Sequence, residues 1–146
     1  ATAAEAFAAA QFARCGWDVS VQYGANQPEY DLVAVNGELV LMVSVKGSKD
    51  EAWGLTQSFL ANADYHAATA VWLARHNKKT VFCFVQFANT ELGEMPRMYL
   101  ATPTEVAGWL DKAVGGRGST VLYENKTWSK RAFAAGTVDR IPDDWR

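Results

Sequence analysis

Residues 30–46 have the sequence YDLVAVNGELVLMVSVK, and this stretch determines the predicted fold. Two apolar runs, residues 30–35 and 38–46, are joined by the dipeptide Asn36-Gly37. An Asn-Gly pair between two such runs is the strongest short-range signal for a β-hairpin, because both residues accept the positive φ angles of a tight turn. We therefore expect two adjacent antiparallel strands joined at Asn36-Gly37.

The segment before the hairpin predicts a helix and then a strand. Residues 2–14 are rich in alanine and precede Gly16, a pattern typical of a helix closed by glycine. On this helix Glu5 shares a face with Phe12, so the acid is expected either to point inward or to interact with the helix dipole. Residues 17–23 alternate in the manner of a short strand.

The segments after the hairpin predict the remaining elements of an α/β fold. Helical or mixed structure is expected at 51–63 and 65–75, strands at 80–87, 97–101 and 120–123, and an amphipathic helix at 104–114. This order of elements predicts a mixed central sheet flanked by helices. The aromatic tail, residues 126–146, is expected to pack on the body of a single domain that covers residues 1–146.

Composition and charge limit the possible functions. The chain is 49% hydrophobic and 21% charged, as in an ordinary globular domain. Its net charge of −2 argues against a protein that coats nucleic acid nonspecifically, so any such contact needs a local basic surface. Two candidate surfaces are Lys46 with Lys49, and a later group formed by Arg117, Lys126, Lys130 and Arg131. The sequence has no apolar run long enough to span a bilayer, which predicts a cytoplasmic protein without membrane contact.

Three polar residues are expected to meet at one end of the hairpin. Residues two apart on a strand face the same side, so Ser44 and Lys46 project together. Asp31 begins the partner strand, close to the place where the second strand finishes. Asp31, Ser44 and Lys46 therefore converge in the predicted sheet.

This arrangement resembles the core of the PD-(D/E)xK nucleases. A helix carries Glu5, an aspartate enters a strand in Glu29-Tyr30-Asp31, and the next strand ends in Ser44-Val45-Lys46. Over roughly residues 1–60 the pattern is similar to archaeal Holliday-junction resolvases and to intron-encoded homing endonucleases of this fold. The resemblance implies a restriction-endonuclease-like fold and a DNA endonuclease that acts on branched or structured DNA, with a homodimer as a further expectation.

The resemblance also implies a role for each site residue. Asp31, Glu5 and Ser44 would hold Mg²⁺ or Mn²⁺ through oxygen atoms, and Lys46 would orient the attacking water. Gln57, one or two turns into the following helix, would add a further polar group to the catalytic residues.

The sequence departs from the family pattern at two positions. Tyr30 stands where the pattern has proline, and Ser44 replaces the second acid, which weakens the expected metal site because a hydroxyl carries no charge. The alternative is therefore a catalytically inactive module that binds nucleic acid or a protein partner. In that case Asp31 only caps a turn. A third class is a purely structural interaction domain, which the six tryptophans and the aromatic tail suggest; Trp53 and Trp128 are the candidates for surface roles, such as stacking on an unpaired base.

Overall fold

The computed structural model describes residues 2–22, 30–77, 79–129 and 135–146. Within these ranges the chain forms three α-helices and nine strands. The helices are α1 (Thr2–Arg14), α2 (Tyr65–Ala74) and α3 (Pro103–Lys112). The strands are β1 (Asp18–Val21), β2 (Leu32–Asn36), β3 (Leu39–Ser48), β4 (Ala52–Gly54), β5 (Thr80–Gln86), β6 (Arg97–Ala101), β7 (Val121–Tyr123), β8 (Asn125–Thr127) and β9 (Val138–Arg140).

A five-stranded mixed sheet forms the centre of the molecule. Its strand order is β1-β2-β3-β5-β6; β3 and β5 run parallel, and the other neighbours are antiparallel. The apolar side chains of α1 pack against one face of this sheet, and those of α2 and α3 lie in the core on the other. The predicted α/β fold, with a mixed central sheet flanked by helices, is confirmed.

The hairpin predicted from residues 30–46 is also confirmed. Strands β2 and β3 pair in antiparallel register, with Leu32 opposite Val43 and Asn36 opposite Leu39. Gly37 has a φ angle of 61°, which glycine adopts without the steric cost that a Cβ would add. The turn chemistry therefore sets the register that places the polar residues of β3.

The face of the sheet opposite α1 carries the larger core. Phe82 and Phe84 of β5 pack there against buried aromatic and aliphatic residues of α2, α3 and the short strands. Ile141 and Trp145 belong to the same cluster and are 3% and 6% exposed. The end of the chain therefore contributes directly to the main core.

Residues 51–63, expected to be helical or mixed, contain a strand and a single 3₁₀ turn and no α-helix. Ala52–Gly54 pairs with Val121–Tyr123, and the backbone amides of Leu55 and Thr56 both donate to the carbonyl of Thr120. This pairing inserts Trp53 into the core, where it is 3% exposed. The interpretation of Trp53 as a surface residue that stacks on a base is therefore wrong.

Substitution of two glycines by alanine is expected to change the free energy of unfolding in opposite directions. A Cβ on Gly47 of β3 would lie 2.8 Å from the Cβ of Ala4, whereas one on Gly108 of α3 would meet no atom within 4 Å. Gly47→Ala should therefore lower the free energy of unfolding by about 1–3 kcal/mol through overpacking. Gly108→Ala should raise it by about 0.5–1 kcal/mol, because alanine is the better helix former.

Urea denaturation of the wild type and the two variants measures both effects. Gly108→Ala is the matched control, since it adds the same methyl group at an open site. Equal stability of Gly47→Ala and the wild type would contradict the close approach of α1 to β3.

Candidate functional site

Ser44 and Lys46 lie on one face of the sheet, and Asp31 directly precedes β2 beside them; we call these three residues the strand-end site. Leu32 and Val43 are opposite each other and point toward α1, so Ser44, the next residue on β3, points to the other face. Lys46, two residues after Ser44 on β3, shares that orientation. The hairpin therefore places Ser44 and Lys46 on one face, with the Asp31 carboxylate bonded to the backbone of Val45 between them.

Asp31 has a structural role as well as its place in the site. Its Oδ2 accepts a hydrogen bond of 2.7 Å from the backbone N–H of Val45, and its own N–H donates to the carbonyl of Val43. The carboxylate thus extends the ladder of hydrogen bonds at the beginning of β2. Among the described residues no donor is hydrogen-bonded to Oδ1, which leaves that oxygen as the one available to a cation or a water molecule.

Ser44 and Lys46 open onto a cavity of about 330 Å³ that we call the aromatic cavity. Ser44 is 2% exposed, whereas Lys46 is exposed and stands at the margin. The lining includes Ser44, Lys46, Phe59, Trp72, Arg75, His76 and Phe82. Asp31 is not among the lining residues, so its carboxylate lies beside this cavity and not in its wall.

Arg75 and His76 are the cavity residues that the sequence patterns missed. They directly follow α2, and the parallel pairing of β3 with β5 places Ser44 opposite Phe82, which the His76 ring contacts at 5.0 Å between ring centroids. The basic residues just after the helix 65–75 were the available signal. Only knowledge of the strand order would have connected them with Ser44.

The backbone of Lys46 is held in place by a hydrogen bond from a residue of the main core. The indole Nε1 of Trp53 donates a hydrogen bond of 3.0 Å to the carbonyl of Lys46. Trp53 itself is in contact with Phe84 and Tyr99, with ring centroids 5.3 and 6.2 Å apart. The strand position that presents the Lys46 ammonium is therefore coupled to the packing of the core.

Glu5 lies on α1, on the side of the sheet opposite Ser44. It is partly exposed, and the preceding residue Ala4 approaches Gly47 of β3. The first turn of α1 therefore crosses β3 one residue beyond Lys46. Glu5 makes no hydrogen bond or ion pair within the described parts of the chain, and Asp50, which lines an open cavity with Lys46, is a further acid near this end of β3.

Gln57 occupies the 3₁₀ turn Gln57–Phe59, which corrects its predicted place within an α-helix. Its side-chain amide lies against the backbone of Gly54, where a Cβ would be 3.0 Å from the Gln57 Cδ. Gly54 and Lys46 both line the aromatic cavity, so Gln57 stands near the site without touching its predicted ligands. The helix expected to carry Gln57 does not form because Ala52–Gly54 pairs as a strand.

The oxygen atoms of the site suit a hard divalent cation, but they carry little charge. Within the described residues no group of three or more acidic, histidine or cysteine side chains could hold a metal ion. Asp31 Oδ1 and the Ser44 hydroxyl are the candidate oxygen ligands at the end of the hairpin, whereas Glu5 lies on the α1 side of the sheet. Because affinity for Mg²⁺ or Mn²⁺ falls with fewer anionic ligands, weak binding is what this donor set allows.

The two predicted basic surfaces differ in the structure. Lys46 and Lys49 line a second, open cavity of about 540 Å³ beside the strand-end site. Arg117 stacks over the ring of Tyr65 at 4.5 Å, and Lys126 lies 5.4 Å from the ring of Trp128. Lys130 and Arg131 lie outside the described residues, as do Pro28 and Glu29 of the motif. The basic surface next to the site is therefore that of Lys46 and Lys49.

Trp128, the other candidate for base stacking, is half-buried. Its Nε1 donates a hydrogen bond of 2.7 Å to Asp139 Oδ2, and its ring packs against Ala113 and Val114. These contacts hold the indole against the body and account for the presence of tryptophan there without a bound base.

No helix in the described ranges combines the length and apolar character required to cross a membrane. The chain matches no model of a known protein family, and no curated protein matches it. The candidate site is therefore defined by its geometry alone.

Proposed function

We propose that this protein is a metal-dependent DNA endonuclease that hydrolyses phosphodiester bonds at a variant site. The observation that carries the proposal is the arrangement at the end of the hairpin, where the Asp31 carboxylate is hydrogen-bonded to Val45, between Ser44 and the exposed Lys46 at the mouth of a cavity. A carboxylate oxygen beside an exposed ammonium is the minimum set for binding a phosphate and activating water. The resemblance to PD-(D/E)xK nucleases supports the same activity.

The residues divide the chemistry between them. The exposed Lys46 would bind a non-bridging phosphate oxygen and orient the attacking water, since its ammonium is a point charge with three donors. Asp31 Oδ1 and the Ser44 hydroxyl would hold Mg²⁺ or Mn²⁺, which when bound supplies a Lewis acid and a more acidic water. Glu5 would join them only by reaching round β3 from the α1 side. The hydrogen bond from Val45 keeps the Asp31 carboxylate in a single orientation.

A second candidate function is a nuclease-like module that binds DNA without cutting it. The observation that favours it is the neutral, buried Ser44 in the place of the second acid. In that module the Asp31 side chain serves only to begin β2, and Lys46 and Lys49 bind the phosphate backbone.

Nicking of supercoiled plasmid in Mg²⁺ or Mn²⁺ tests the proposal. Asp31→Asn keeps an oxygen that can accept from Val45 and removes the charge, so it should fold normally and lose activity by at least about a hundredfold. Lys46→Ala should lose a similar factor. Asp18→Ala, which removes an exposed acid from edge strand β1, is the matched control and should nick as the wild type does.

Two results would contradict the endonuclease. One is a wild type that never nicks with either metal while still binding DNA, which leaves the binding module. The other is nicking at full rate by Asp31→Asn and Lys46→Ala, which would place the chemistry elsewhere.

A further inference from the structure

The walls of the aromatic cavity combine flat rings with positive charge. The Arg75 guanidinium carbon lies 5.4 Å from the centroid of the Phe59 ring, within the range of a cation–π contact. Phe59 is only partly buried, and Arg75 is exposed at the end of α2. Both residues line the aromatic cavity together with Lys46, so its wall combines an aromatic ring, a guanidinium plane and an ammonium.

The size of the aromatic cavity suits one small planar group. Its volume of about 330 Å³ is near the lower end of the roughly 300–1,000 Å³ of small-molecule sites. A base pair within a duplex cannot enter such a space, because its bases remain stacked on their neighbours. A single unpaired base has two free faces and stacks readily on aromatic rings and on arginine planes.

The position of the aromatic cavity relates it to the strand-end site. Ser44 and Lys46 belong to both, so a nucleotide held in the cavity would have its phosphate beside the Lys46 ammonium. Lys49 adds a second ammonium to the open cavity on the other side of Lys46, where the strand would leave, and Asp50 in the same cavity accepts a hydrogen bond from the Ser48 hydroxyl. The strand would thus pass over β3 while one base is inserted next to the Asp31 carboxylate.

We infer that the aromatic cavity binds one unpaired nucleotide of a nucleic-acid strand, with its base on Phe59 and Arg75 and its phosphate on Lys46. The inference rests on the proposed function for the path of the nucleic-acid strand over β3. It adds a substrate class, which is nucleic acid with unpaired bases. Strands with unpaired bases, such as single strands, flaps and branch points, bind in preference to a continuous duplex. Base identity has little influence, because stacking surfaces accept every base.

Fluorescence anisotropy without any divalent metal tests this binding separately from cleavage. The probes are a labelled thymidine 20-mer and a blunt duplex of 20 base pairs, each titrated in EDTA. Phe59→Leu removes the ring but keeps most of the apolar volume, and Arg75→Lys keeps the charge but removes the plane. Each variant should bind the single strand about tenfold more weakly, the factor expected for the loss of one stacking contact.

Three comparisons make the result specific. Binding of the blunt duplex should be the same for the wild type and both variants, and Arg14→Lys should not alter either titration, because Arg14 lies on α1 at the other sheet face. Thermal denaturation of Phe59→Leu checks that this variant is folded. If it is not, Arg75→Lys still tests the inference, because Arg75 lies at the surface and its substitution should leave the fold intact. Unchanged single-strand binding in Arg75→Lys, or equal losses with duplex and single strand, would overturn the inference.

The outcome is distinguishable from a failure of the proposed endonuclease. Loss of nicking in Asp31→Asn, together with weaker single-strand binding in Phe59→Leu and Arg75→Lys, supports the catalytic site and the nucleotide cavity together. If the wild type binds the single strand through Phe59 and Arg75 but never nicks DNA, the nucleotide cavity is supported and the endonuclease proposal is contradicted. If the protein nicks DNA but neither Phe59→Leu nor Arg75→Lys weakens single-strand binding, the nucleotide cavity is contradicted and the endonuclease is retained.

Discussion

Glu124→Ala is expected to lower the free energy of unfolding by about 3–5 kcal/mol, because it breaks a largely buried ion pair by removing one partner. The Glu124 carboxylate accepts from Arg97 Nε at 2.7 Å and Nη2 at 2.9 Å, and from the Tyr99 hydroxyl at 2.6 Å. The two charged side chains are 11% and 23% exposed. Without the carboxylate, a guanidinium and a phenol would remain partly buried without their acceptor.

Glu124 also joins three parts of the chain through its backbone. Its N–H donates to the carbonyl of Glu51, and its carbonyl accepts from the N–H of Ile141. Burial and the hydrogen bond to Glu124 raise the pKa of Tyr99 to about 12, so the phenol remains a donor at neutral pH. The side chain therefore acts where the central sheet, β4 and the end of the chain meet.

The pH dependence of stability follows from the same contacts. Burial by itself raises the pKa of the Glu124 carboxyl, but the hydrogen bonds from Arg97 and Tyr99 and the charges of Arg97 and Arg146 bring it below its usual 4.5. A carboxyl with a lowered pKa in the folded state stabilises the protein above its unfolded-state pKa. This stability is lost as the pH falls from about 4.5 through the folded-state value, and Glu124→Ala should lose less over that window.

Urea denaturation at pH 7 and at several values below pH 4.5 measures both effects. Asp143→Ala is the matched control, because its partner Arg140 is 66% exposed and Asp143 is 86% exposed. Removing that surface ion pair should change stability by less than about 1 kcal/mol. A Glu124→Ala variant as stable as Asp143→Ala at neutral pH would show that the buried pair contributes little.

The parts of the fold that depend on local sequence could be predicted. Asn36-Gly37 specifies its own turn, and the parity of β3 then places Ser44 and Lys46 on one face. The helix predicted at 104–114 begins with Thr102, whose hydroxyl accepts from the Glu105 N–H while the Glu105 carboxylate accepts from the Thr102 N–H. Such signals lie within a few residues of the structure that they determine.

The parts that depend on distant pairing could not be predicted. Residues 52–54 form a strand because residues 121–123 pair with them, and that contact also buries Trp53. The aromatic cavity needs β5 beside β3, which brings Arg75 to Ser44 from thirty residues along the chain. The apolar pattern within residues 52–54 or 121–123 does not reveal that they pair. The apolar residues of 51–63 fit a helical pattern as well as they fit a strand.

Ser44→Glu is expected to be the most informative change at the strand-end site. Ser44 is 2% exposed beneath the aromatic cavity, so a carboxylate there loses hydration and should destabilise the protein by about 3 kcal/mol or more in EDTA. The same carboxylate would stand next to Asp31 and give a divalent cation a second anionic oxygen. At a hundred times its Kd, Mn²⁺ should then restore about 2.7 kcal/mol of the lost stability.

Thermal denaturation with EDTA, Mg²⁺ and Mn²⁺ separates the charge of the new side chain from its size. Ser44→Gln has nearly the same volume without the charge, so it should be destabilised and gain nothing from either metal. Ser20→Glu adds the same acid at an exposed position of β1 and should change stability by less than about 0.5 kcal/mol. If Ser44→Glu and Ser44→Gln respond identically to Mn²⁺, no cation binds beside Asp31, and the site lacks the ligands that phosphodiester hydrolysis requires. If only Ser44→Glu is rescued and its nicking appears at lower metal concentration than in the wild type, then the missing charge at residue 44 is what limits the natural site.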